Sequence, residues 1–201
     1  MKPIKAIYKT VLLFIFAATI LSCNNKPKSD TKKNSEVMLK LFNIKTTNQF
    51  IIDIPETLKD QCIIDEFVQI DSFNYAKGTT TNTNTGEKTT IILDYNNIVP
   101  VNHNNSKNIF RFLAPLTVSG SGTGKFKYLS LFELNLKTHN INHSDSKFLG
   151  DRIILKKIEY DGDKKLEVII KAHRLEQSFS ETPTETKKIV FDITDVILPH
   201  K

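Results

Sequence analysis

Tryptophan is absent from the 201 residues, and Gly and Pro number only seven each. So little of either excludes a collagen-like or low-complexity chain. Cysteine occurs twice, at Cys23 and Cys62, too seldom for a disulfide scaffold. Arg111, Arg152 and Arg174 are the only arginines among 28 cations. Arginine is the usual bidentate partner of phosphates and bases, so its scarcity argues against nucleic-acid recognition. Composition also excludes a polytopic membrane protein, because the chain lacks repeated apolar runs of about 20 residues. What is present is asparagine, 17 residues of it, and 39% apolar residues, slightly low for a globular chain. The length allows one well-buried core and no more than one or two domains.

The net charge of +6 is unevenly placed. Lys2, Lys5 and Lys9 supply three charges. Lys26, Lys28, Lys32 and Lys33 against Asp30 supply three more, so residues 36–201 sum to zero. A neutral remainder has no cationic surface of the kind that binds nucleic acid, and no such partner is expected.

Residues 10–21 (TVLLFIFAATIL) carry no charge. Twelve residues are too few to span a bilayer but suit the apolar region of a secretory signal, with the lysines ahead of it. The run ends Ile20-Leu21-Ser22-Cys23. An aliphatic residue three places before a cysteine and a small residue one place before it resemble the lipobox of bacterial lipoproteins. The resemblance implies a signal peptide over 1–22, a diacylglyceryl thioether on Cys23, cleavage before it and acylation of the new amine. Two or three acyl chains hold a protein stably where one does not, so the expected partner is a membrane, reached through the lipid on Cys23. Asn24, with no acidic cluster after it, resembles the sorting pattern for the periplasmic face of the outer membrane in a Gram-negative-type envelope. Residues 24–35 hold no apolar side chain but Pro27 and read as a disordered tether, reaching roughly 40 Å when stretched. The rest, 36–201, is expected to be a single β-rich domain. Acylation of Cys23 leaves Cys62 alone, and its apolar neighbours Ile63 and Ile64 suit a small buried hydrophobe rather than a reactive thiol.

Period-2 alternation is clearest over 126–136, where Phe126, Tyr128, Phe132, Leu134 and Leu136 share one face, the mark of a strand buried on one side. Upstream, Phe110, Phe112, Ala114 and Leu116 alternate over 109–118, with Pro115 suggesting an edge or a bulge. The Gly-rich stretch 119–125 between them makes a hairpin. Gly120 and Gly122 matter to that turn wherever it needs a positive φ. Asp161-Gly162-Asp163 between apolar runs at 152–160 and 166–172 is a second hairpin. Further strands are expected at 188–194, 89–95 and 49–54, a short helix at 55–62, and polar loops at 78–86 and 137–147. The expected fold is mainly β: an antiparallel sheet or sandwich of about seven strands with at most one or two short helices.

Gly120-Ser121-Gly122-Thr123 followed by Phe126-x-Tyr128-Leu129 resembles a GSGTF-x-YL hairpin, and Leu149-Gly150-Asp151-Arg152-Ile153 with Asp161-Gly162 beyond resembles an LGDR-I…DG motif. Together they resemble, over roughly residues 92–195, a secreted or lipoprotein β-module of bacteria that carries no assigned activity. The resemblance implies a fold and an envelope setting, not a reaction. Gly124-Lys125 is an insertion relative to that hairpin. Where the module has a carboxylate-rich turn, residues 101–108 are Asn-rich and offer no carboxylates, so no metal is expected there.

Other motifs have plain explanations. Gly124-Lys125 lacks the preceding glycine and following Ser/Thr of a phosphate loop and leads into a strand. His139 and His143 stand four apart in a polar stretch with no Cys nearby, so metal ligation is not expected. Asp151-Arg152 places a carboxylate and a guanidinium side by side, either at a binding surface or, as favoured here, in an architectural turn. No catalytic constellation or cofactor motif stands out. The expectation is a membrane-anchored, non-catalytic envelope lipoprotein, a binding or structural module for an envelope protein or glycan. The alternatives are a periplasmic inhibitor or accessory subunit of a cell-wall enzyme, and a hydrolase with an unrecognised site.

Overall fold

Twelve strands account for most of the described residues: β1 Ile51–Asp53, β2 Gln61–Ile70, β3 Phe73–Thr81, β4 Lys88–Leu93, β5 Val99–Pro100, β6 Ile109–Ser119, β7 Phe126–Asn135, β8 Ile141–Asp151, β9 Ile154–Tyr160, β10 Lys165–Ala172, β11 Glu185–Ile193 and β12 Ile197–Pro199. The computed structural model describes residues 38, 40–44, 46, 48–58, 60–101 and 108–200. The expected signal peptide, Cys23, the expected tether and the Asn-rich 102–107 stretch lie outside the described residues. Residues 38 and 40–42 are helical, and Tyr95–Asn97 forms a 3-10 turn. The fold is mainly β and antiparallel, as the alternation implied.

Eight strands form one sheet, in the order β1-β2-β3-β4-β6-β7-β8 with β5 also on β6. β9 to β12 form a second, in the order β12-β11-β10-β9. The large sheet curls so that β1 approaches β8. Every neighbour in that path is antiparallel, so β1 and β8 run in the same direction, and among the described residues no ladder joins them.

Curling encloses one core. Phe50, Ile52, Cys62, Ile64, Ala76, Ile91, Leu93, Phe112, Leu116 and Phe132 fill it, and the Phe112 and Phe132 rings stack 5.1 Å apart. A second core lies outside the curl. There Leu113, Leu129, Leu131 and Leu149 meet Leu166, Val168 and Ile170 of β10 and Phe191 and Ile193 of β11. β6 and β7 are therefore buried on both faces. This corrects the one-sided reading of 126–136: the second sheet covers the Leu129 and Leu131 face.

Three local expectations fail for identifiable reasons. Pro115 sits in a central strand, not at an edge. Its carbonyl accepts from Asp94 N, toward the break where β4 ends and β5 has not begun. In an antiparallel strand the N and the C=O of one residue point the same way, so the missing N–H falls in that break. The 55–62 helix is absent: Glu56 has φ 63°, Leu58 is fully exposed, and Cys62 belongs to the alternation of β2. The loop expected at 137–147 is largely strand, with 141–147 in β8, and the one expected at 78–86 begins late, with 78–81 in β3 and 82–86 left as a turn.

Candidate functional site

The two sequence motifs meet in space. Phe126, just after the Gly-rich turn, pairs with Asp151 at the end of β8. Asp151 Oδ1 accepts the Lys125 N–H at 2.9 Å, and Arg152 N donates to Lys125 O at 2.9 Å. Arg152 Nη2 lies 2.8 Å from Asp151 Oδ2, and its guanidinium stacks 4.3 Å from the Phe179 ring. The hydrogen bond from Arg152 holds the Asp151 carboxyl below its ordinary pKa. Leu149 is buried in the second core. Gly150 has φ +145°, and a Cβ there would stand 2.6 Å from Ile153 Cγ2, so only glycine fits. Arg152 thus pairs with its sequence neighbour. Asp151 and Arg152 together clasp the turn and the chain reversal into β9.

Gly120, Gly122 and Thr123 lie at the exposed tip of the β6–β7 turn. Neither glycine has a positive φ, and nothing lies within 4 Å of a Cβ built on Gly122. The left-handed role is therefore not theirs. Sequence reasoning overlooked Gly78, where a Cβ would stand 2.2 Å from the Ile63 carbonyl oxygen. Cys62 is buried in the first core, and burial pushes its thiol up to about 11.

The other site lies on the seam between β1 and β8. Two hollows of about 690 and 290 Å³ share Asp53 and His143. A shift in the β7–β8 register leaves Ser144 as an extra residue between His143 and Asp145. Such a bulge changes which face the following residues point to. His143 and Ser146, three apart and on opposite faces of a regular strand, are thereby brought together, with Nε2 2.8 Å from Oγ. Ser146 Oγ is also 2.5 Å from Oγ of the fully buried Ser130. His143 packs 5.1 Å from the Phe132 ring, and burial lowers its pKa against the opposing pull of Asp53 and Asp145. The imidazole is therefore neutral near pH 7.

A serine beside an imidazole is the beginning of a nucleophilic site. Here the carboxylates that would orient the ring are engaged. Asp53 Oδ1 accepts from Gln61 Nε2 at 2.8 Å. Asp145 accepts from Ser146 N, Lys147 Nζ and, at 2.8 Å, Ile197 N of β12. The Ser130–Ser146–His143 chain satisfies a buried hydroxyl and fixes the ring. No residue spacing announced it, because the bulge is set by pairing with β7.

His139 lies in the β7–β8 turn with φ 59°, off the strand that carries His143. Among the described residues no three His, Cys, Asp or Glu side chains gather as metal ligands would. Comparison of the chain with protein-family profiles, curated proteins and solved structures gives no match.

Proposed function

We propose that the protein is a lipid-anchored envelope lipoprotein whose β domain is a binding module without catalytic activity. Ile20-Leu21-Ser22-Cys23 carries the anchor: an apolar run, a small residue and then a cysteine open a polar tether. Lipid on Cys23 holds the domain at a membrane, with the outer membrane facing the periplasm as the favoured site. The neutral charge of 36–201 suits a partner found by shape and hydrogen bonding rather than by charge. The clasp at Asp151 and Arg152 supports an architectural part for that motif. Of the two loops an inhibitor inserting into a cleft would use, 141–147 lies in β8, while 82–86 remains a turn between β3 and β4.

Metabolic labelling with an alkyne fatty acid, followed by membrane fractionation, tests the anchor. The wild type should label and sediment with membranes, and Cys23→Ala should do neither. A Cys23→Ala protein that still labels and sediments overturns the lipoprotein reading.

A further inference from the structure

We propose that the seam between β1 and β8 binds an uncharged saccharide chain. This deepens the binding-module reading and rests on it, but it does not rest on the anchor. Asn48, Gln49, Gln61, Asn140 and Asn142 surround the larger hollow, which at about 690 Å³ falls in the range of small-molecule sites. Each primary amide offers a donor and an acceptor in one plane, the pattern that neighbouring sugar hydroxyls require. Gln49, Asn140 and Asn142 make no side-chain hydrogen bond among the described residues, so their amides are open to a ligand. Asp53 uses Oδ1 on Gln61 and keeps Oδ2 as a further acceptor.

The charge of the lining selects the ligand class. Both hollows contain carboxylates, including Asp53 and Glu56, and among the described residues neither contains Lys or Arg. Phosphate, sulfate and uronate groups find no counter-charge among those residues. At the far end, the Tyr128 and Phe148 rings lie 5.4 Å apart, and Phe148 is half exposed. Tyr128 is buried and tilted 54° to Phe148, so the exposed Phe148 ring alone offers an apolar surface for the C–H face of a pyranose. From Asn140 to Phe148 the strand runs roughly 25 Å at the usual rise per residue, long enough for several sugar units. A peptide adding as a strand needs an open lane between the edges. β1 and β8 come within 8 Å of each other, Cα to Cα, closer than the roughly 9.5 Å that two edges need to admit a strand between them, and β12 is tied to β8 through Asp145.

The test uses the full chain in detergent, with maltotetraose, cellotetraose and chitotetraose as probes and an uncharged extended heptapeptide for comparison. Saturation-transfer NMR and calorimetry read binding, and thermal melting controls for folding. At least one tetrasaccharide should bind with Kd of about 1 mM or tighter. Asn142→Ala and Gln49→Ala, both at exposed positions, should each weaken it at least about tenfold with an unchanged melting temperature. Phe148→Ala should weaken it as well. Absence of binding by all three sugars, or binding that both amide variants leave intact, overturns the proposal. Binding of the heptapeptide alone, lost in the same variants, overturns it in favour of a peptide site. A partner recovered from envelope extract by wild type and by Asn142→Ala alike would overturn the saccharide groove while keeping the binding-module reading.

Discussion

Removing the Asp151 carboxylate tests whether the clasp between the two sequence motifs is architectural. Asp151→Ala deletes the acceptor for the Lys125 N–H at 2.9 Å and the partner of Arg152 at 2.8 Å. The Asp151 side chain is only 18% exposed, so solvent replaces these bonds poorly. A hydrogen bond to a charged group contributes about 1.5–3 kcal/mol, and partial exposure together with the local nature of the pair puts the loss at about 1–2 kcal/mol. With a urea m-value of about 2 kcal/mol/M, the midpoint should fall by roughly 0.5–1 M. Asp151→Asn keeps an acceptor for Lys125 N and should lose less. The native pKa of Asp151 is lowered by Arg152, so its charge stabilises the fold above the unfolded-state value near 4. That contribution is lost as pH falls through the lowered native value. The gap between wild type and Asp151→Ala should be whole at pH 7 and close in acid. An unchanged urea midpoint at pH 7, or a gap that persists undiminished at acid pH, refutes the charged clasp. If Asp151→Ala and Arg152→Ala leave stability untouched and abolish recovery of a partner, the motif is a binding site instead.

Gly78→Ala should destabilise by about 2–4 kcal/mol in urea unfolding, because the new Cβ meets backbone at 2.2 Å. Gly122→Ala, with open space around it, should stay within about 0.5 kcal/mol; equal effects at the two positions would refute the packing around Gly78. The Cys62 thiol, pushed up to about 11, should resist iodoacetamide at pH 8 until the chain is unfolded, and rapid native labelling would show that it is not buried as described.

Several features were legible in the chain. Alternation at 109–118 and 126–136 marked β6 and β7, and the Gly-rich stretch between them marked their turn. Asp161-Gly162 marked the β9–β10 hairpin, where Asp161 Oδ1 accepts the backbone N–H groups of Asp163, Lys164 and Lys165. The LGDR motif marked the place where Gly150, at φ +145°, precedes the reversal into β9. These signals are local: each depends on turn chemistry or on which side of a pleat a residue occupies. The resemblance of Ile20-Leu21-Ser22-Cys23 to a lipobox is also a local signal, and it lies outside the described residues.

The tertiary structure decided the rest. The polar run 141–147 carries no strand signal of its own. It becomes β8 because β7 offers a full edge, with Ser130 opposite Ser146. The second face of β7 is buried only because another sheet, built from residues far along the chain, lies over Leu129 and Leu131. Pro115 is tolerated in the sheet because two short strands end and begin beside it. The seam follows from the number of strands and the curl that brings the first beside the last. The His143–Ser146 contact follows from a bulge that shifts side chains between faces. Pairing, register and closure join residues distant in sequence, so no local pattern carries them.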